Sequence, residues 1–242
     1  MSTLVESIPR SWEEDVHQGI AVERSQEAAA TSRNRGLASF ADDQIRSLVQ
    51  QIFLSGRKPA RQVVFSPVDE GADISSLCLS VGNALVHMDS GNACVVEALP
   101  RSPSQDARTE DDVLAVNYQK RFGVLRDAAQ QLSSRLWFMS RSALLDGNDG
   151  KFSPLSMRGR LAELRLEFDN TVLQGPAAGV HSESTLLGCL CDGVVLVVQA
   201  NLTRRVAAQR AKQLLHAANA CLLGTVLTER TFPIPEAIYK KL

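Results

Sequence analysis

From about Asp42 onward, short apolar runs alternate with segments whose apolar residues recur every three or four positions. QVVFS (62–66), ACVVEA (93–98), RLWFMS (135–140), NTVLQG (170–175), GVVLVVQA (193–200) and CLLGTVLT (221–228) read as strands. Between them lie helical patterns. Ile45, Leu48, Val49, Ile52 and Phe53 form one, ended by Gly56 and Pro59. A second carries Leu77, Leu79, Val81 and Leu85, a third Leu161, Leu164 and Phe168, and the clearest spans 203–220. The stretch 100–134 reads as polar to Asp112 and helical from Val113 to Leu132. Strands apolar on both faces, alternating with helices, predict an α/β domain with a doubly wound, mainly parallel sheet. In such sheets ligands sit at the C-terminal ends of the strands, beside helix N-termini.

Residues 1–40 are rich in Ser, Glu, Ala and Arg and carry no sustained period, which predicts a flexible tail ahead of a domain at 41–242. Apolar residues make up 44% of the 242, so the chain as a whole is not disordered. With 26 Lys+Arg against 27 Asp+Glu the net charge is −1, which argues against nucleic-acid binding through bulk basicity. No apolar run approaches the ~20 residues of a membrane span, and no signal-peptide core opens the sequence. The expected setting is cytoplasmic, with the odd set Cys78, Cys94, Cys189, Cys191 and Cys221 as buried thiols.

The turn between the first strand and its helix, SPVDEGADISS (66–76), has the position and length of a phosphate-binding loop. Such loops read GxxxxGK[ST]: glycines let backbone N–H groups wrap phosphates, lysine neutralises charge, and the hydroxyl holds Mg²⁺. Here Val68 and Asp73 stand at the glycine positions and Ile74 at the lysine. Ser75 matches, Ser76 follows it, and Gly71 lies inside the loop. Taken alone, these residues describe an ordinary strand–turn–helix. No Ser-His-Asp or HExxH arrangement is present, and the Cys189-x-Cys191 pair lacks the second pair or histidine that a zinc site needs.

The order of segments resembles the bacterial tyrosine autokinases of capsule and exopolysaccharide biosynthesis, relatives of the septum-site and partitioning ATPases. LLGCLCDGVVLVVQANLTRR (186–205) is similar to that family's "D..LLA..ADGVLLVV … T.R", and LLGTVLTER (222–230) to its "LGVVLN". VVFSPVDEG falls at its first strand and phosphate loop, ACVVEALPRSPS at its "VLLVDADLRRPS", and DQIRSLVQQIF (43–53) at its "EAFRxLRTNIxF". The resemblance covers about 200 residues and implies a P-loop NTPase-like fold. It also implies ATP and Mg²⁺ as ligands, with Gly71, Ser75, Ser76 and Asn201 at the nucleotide site and Ser75 and Glu97 as the groups left to hold a cation. Tyr239 would be the phosphate acceptor in the tail.

The departures fall on the chemistry. The loop lacks its lysine (Ile74) and key glycine (Asp73). Where the resemblance places acidic residues stand Glu97, Leu99 and Gln174, and the self-association helix E-x-x-R-x-x-R reads Asp43, Arg46, Val49. A lost charge-assisted hydrogen bond costs about 1.5–3 kcal/mol. A carboxylate roughly 4 Å from phosphate charge adds about 4 kcal/mol of repulsion at an effective dielectric of 20. Together these approach the ~8 kcal/mol of a micromolar ligand. The expectation is a degenerate relative with no catalytic residue and no working cofactor. It would serve as a binding or regulatory subunit of polysaccharide assembly or export, beside a membrane chain-length-determinant protein or an active homologue, and could self-associate. The competing expectation is an active autokinase with an atypical loop. Arg204, Arg205, Arg210 and Lys212 read as a solvated helix face. FPIPE (232–236) reads as an extended segment packed over the sheet edge.

Overall fold

The computed structural model describes residues 41–55, 59–99, 125–145 and 153–229. The chain divides into two units, 1–47 and 48–242, and the sheet belongs to the second. Residues 41–49 are helical and pass into a π-helical turn, Gln50–Leu54, that buries Phe53. The elements that follow are β1 (Gln62–Pro67), α1 (Ser75–Met88), β2 (Ala93–Glu97), α2 (Leu125–Ala128), β3 (Gln130–Ser133) and β4 (Leu136–Met139). After them come α3 (Arg141–Leu145), α4 (Pro154–Glu167), β5 (Asn170–Gln174), α5 (Ser182–Leu190), β6 (Gly193–Gln199), α6 (Arg205–Ala217) and β7 (Leu222–Thr228).

The strands form one seven-stranded sheet in the order β3-β4-β2-β5-β1-β6-β7, parallel throughout except for the antiparallel β3–β4 pair. The α/β, doubly wound reading of the sequence is therefore the observed fold. β1 and β5 are buried along their whole length, as strands covered on both faces must be. Their side chains alternate between two cores. Val64, Cys94, Val96, Leu173, Val194 and Leu196 meet Leu144, Leu161, Leu164, Leu187 and Leu215 from α3, α4, α5 and α6. On the opposite face α1 lies so close to β2 that a Cβ at Gly82 would come 2.7 Å from Val95 Cγ2. Only a residue without a side chain permits that approach.

Helix boundaries follow local chemistry. Pro154 opens α4, where its missing N–H costs nothing, and α6 is shorter at both ends than the 203–220 pattern. Three expectations need correction. Residues 130–133 form a strand rather than the end of a helix; α2 is a single turn, and 113–124 lie outside the described residues. β3 is polar and exposed, and only its pairing with Trp137 and Phe138 of β4 makes it a strand. The core face of α1 is Cys78, Val81, Gly82 and Leu85; Leu77 and Leu79 are only half-buried, because the face is set by where Gly82 fits. Finally, β7 is not covered on both faces, since Leu223 and Leu227 are exposed. Among the described residues no helix is long and apolar enough to cross a membrane.

Candidate functional site

β1 delivers the chain to the C-terminal end of the sheet and turns it at once. The Val68 N–H donates to the Val197 carbonyl at 3.0 Å, Val68 is buried, and Gly71 takes φ +84, a conformation open to glycine. Asp73 Oδ1 then accepts the Ser75 N–H at 2.9 Å. The loop thus supplies its own carboxylate to one of the free amides at the start of α1, where a phosphate-binding loop leaves amides for its ligand. Ile74 is 1% exposed, so an apolar side chain is buried at the residue where such loops carry their lysine. Residues 66–76 contain Asp69, Glu70 and Asp73 and no Lys or Arg.

Ser75 heads α1, and its hydroxyl donates to Gln174 Oε1 at 3.4 Å, a long bond between residues 99 positions apart. Gln174 ends β5, is 2% exposed, and lies in register with Phe65 of β1 on one side and Glu97 of β2 on the other. The fold therefore gathers Ser75, Gln174 and the half-buried Glu97 at adjacent strand ends. Gln174 Nε2 and Asp69 Oδ2 are both buried without a hydrogen-bond partner. Ser66 Oγ donates to the Pro176 carbonyl and the Ala178 N–H to the Pro67 carbonyl at 2.8 Å, which hold the segment after β5 against the loop. Glu70 meets His181 Nε2 at 3.0 Å, tying the loop to the start of α5.

The other expected residues fall elsewhere. Ser76 and Asn201 are exposed; Asn201 adopts φ +64 after β6, and Thr203 Oγ1 accepts the Gln199 N–H at 3.1 Å. Tyr239 lies outside the described residues. Among the described residues no group of three or more His, Cys, Asp or Glu could hold a metal ion. Cys78 and Cys94 are buried, and burial pushes both thiols above their ordinary range, so they are inert packing groups. Cys189 and Cys221 are exposed, contrary to the expectation of five buried thiols.

Reading the sequence for chemistry missed the network at the opposite end of the sheet. Asp192 Oδ2 accepts the N–H groups of Arg61 and Gln62, both at 2.8 Å, and Oδ1 accepts from Arg165 Nη2 at 2.8 Å. Arg165 Nε also donates to Gln62 Oε1 at 2.7 Å, and Gln62 Nε2 to the Leu161 carbonyl at 2.7 Å. Burial by itself raises the Asp192 pKa, but the bonds from Arg165, Gln62 and Arg61 prevail and hold it below its ordinary 3.8. Its only sequence signal was position: Arg61-Gln62 and Asp192 open neighbouring strands.

No protein-family model matches the chain, and no curated protein matches its sequence. Solved structures do. The VpsO kinase domain superposes with a TM-score of 0.60 at 16% identity, over 82% of this chain and 98% of that one. The kinase domain of the Escherichia coli tyrosine kinase ETK gives 0.52 at 13% identity, over 72% and 71%. The cell division protein MinD of Aquifex aeolicus gives 0.53 at 15%, over 75% and 73%. The chain shares the fold of these proteins.

Proposed function

We propose that residues 41–242 form a catalytically degenerate tyrosine-autokinase-like domain that works by binding rather than by phosphoryl transfer. The observation that carries this reading is that the loop occupies one of its own amides, with Asp73 on the Ser75 N–H, and buries Ile74 at the lysine position. Magnesium and ATP do not fit the residues present. Phosphoryl transfer depends on positioned cations, and the loop offers three carboxylates to a polyanion instead. At the end of β5, where a metal site needs a carboxylate, stands an amide whose oxygen already takes the Ser75 hydroxyl. The unpaired Gln174 Nε2 is a donor, and a donor repels a cation.

The role that fits such a domain is a regulatory or docking subunit in capsular or exopolysaccharide biosynthesis or export. Its partner is a membrane chain-length-determinant protein or an active homologue, engaged on the cytoplasmic side. Support comes from the shared fold with tyrosine kinase domains and from the segment order described above. Thermal melting of the full chain with millimolar ATP and Mg²⁺ tests the loss of nucleotide binding, because a ligand specific to the native state raises the midpoint. The expected result is no shift and no transfer of labelled phosphate to Tyr239. A shift of several degrees that disappears in Ser75→Ala would overturn it in favour of an active kinase with an atypical loop. Co-purification with the membrane partner tests the docking role separately.

A further inference from the structure

From Gly193 to Thr228 the chain carries Arg204, Arg205, Arg210 and Lys212 and no Asp or Glu, whereas the other residues hold 22 Lys+Arg against 27 Asp+Glu. All four cations belong to α6 or its cap, and all four are exposed. None of their side chains makes an ion pair or hydrogen bond among the described residues. Helix stability does not explain the arrangement, because Arg204 and Arg205 stand at the positive end of the helix dipole. Ala211 and Leu215 mark the stripe that α6 buries. At about 100° per residue, Arg205 and Lys212 then fall on one flank of the helix and Arg210 on the other. The outward strip between the flanks is Gln209, Gln213 and Val206. Val206 is 75% exposed, and Leu202, just ahead of the helix, 66%.

We propose that the outward face of α6 rests on an anionic lipid surface. Arg205, Lys212 and Arg210 meet the headgroup phosphates from both flanks, and Val206 and Leu202 enter the headgroup boundary between them. Charge complementarity carries the choice of an anionic partner, and three features select lipid among such partners. Residues 193–228 contain no Phe, Tyr or Trp, so the face has no ring to stack on a nucleic-acid base. Its most exposed uncharged side chains are aliphatic, which a bilayer boundary accepts and a phosphate backbone does not use. The cations are not held in place by neighbours; a protein's fixed carboxylates reward pre-oriented partners, whereas mobile headgroups gather around cations that move. The net negative charge of the remaining residues is repelled by the same surface and turns α6 toward it. This goes beyond the docking role and does not depend on it, since a face of this kind needs no protein partner.

Co-sedimentation of the full chain with phosphatidylcholine vesicles, with and without phosphatidylglycerol, tests this. The chain should partition onto the phosphatidylglycerol vesicles alone, and added salt should release it. Each cation at such a surface is worth about fivefold in affinity, so Arg205→Gln with Lys212→Gln should weaken partition by more than about tenfold. The urea midpoint of that double variant should not move, because neither side chain is paired. Val206→Ser should weaken partition severalfold at every salt concentration, a loss that a contact made of charge alone does not register. Absence of partition onto phosphatidylglycerol vesicles would overturn the proposal, as would partition that the double variant leaves intact. Binding to duplex DNA that the double variant abolishes, with vesicle partition indifferent to Val206→Ser, would assign the face to a phosphate backbone and equally overturn it. The vesicles hold no protein, so the result is independent of co-purification with a membrane partner.

Discussion

The two ends of the parallel sheet are built on different terms. At the N-terminal end, Arg61, Gln62, Arg165 and Asp192 come from three separate segments, and no buried side-chain polar atom of theirs lacks a partner, although Thr171 Oγ1, in register with Gln62, has none. At the C-terminal end the equivalent layer is incomplete. Ser75 and Gln174 meet at 3.4 Å, and Gln174 Nε2 and Asp69 Oδ2 meet nothing. A buried polar atom without a partner costs about 1–3 kcal/mol, and the C-terminal end carries two of them. The contrast separates a polar layer that ties neighbouring strand starts together from one whose side chains are left partly unpaired.

Breaking the N-terminal end should have the largest effect. Asp192→Ala leaves two backbone N–H groups and the Arg165 guanidinium without their acceptor and should lower stability by about 2–3 kcal/mol, read from urea unfolding. The pH dependence follows from the sign of the shift. The native carboxyl titrates below 3.8, so its contribution is complete above the unfolded-state value and is lost as pH falls from about 4 through the native value. Asp192→Asn should flatten that acid limb. An unchanged midpoint in Asp192→Ala would remove the distinction between the two ends.

Gln174→Leu probes the other end and should differ in sign. It deletes an unpaired buried donor and a long hydrogen bond, and the cavity is filled by a side chain of similar size. Stability should be unchanged or rise by up to about 1 kcal/mol. A loss comparable to that of Asp192→Ala would show that Gln174 is paired as firmly as Gln62.

The sequence made the frame of the fold visible and left its polar layers obscure. Residues 62–66, 93–98, 170–175 and 193–200 announce themselves because both faces of those strands are buried, which leaves an unbroken apolar run. α6 is equally plain, since Ala211 and Leu215 mark the one stripe it buries. β3 was illegible because its residues are polar and its state comes from β4. The face of α1 was misread because glycine, the residue that seats it, contributes no hydrophobic signal. At the site, Ser75 and the missing lysine could be read locally. The Ser75–Gln174 contact spans 99 residues and the Arg61–Asp192 contact 131, distances over which one sequence carries no pairing information.

The smallest effect expected is at the Glu70–His181 contact, which links the loop to the start of α5. At 3.0 Å it looks as well formed as Arg165–Asp192 at 2.8 Å, but its surroundings differ. The Glu70 side chain is 64% exposed, so water screens the attraction and both side chains give up rotamer freedom to make it. Asp192, by contrast, also accepts the backbone N–H groups of Arg61 and Gln62. Glu70→Gln should therefore change the urea midpoint by less than the equivalent of about 0.5 kcal/mol, and added salt should erase even that. A loss above about 1.5 kcal/mol would mean that the loop end is anchored as tightly as the other, and the contrast between the two ends would fail.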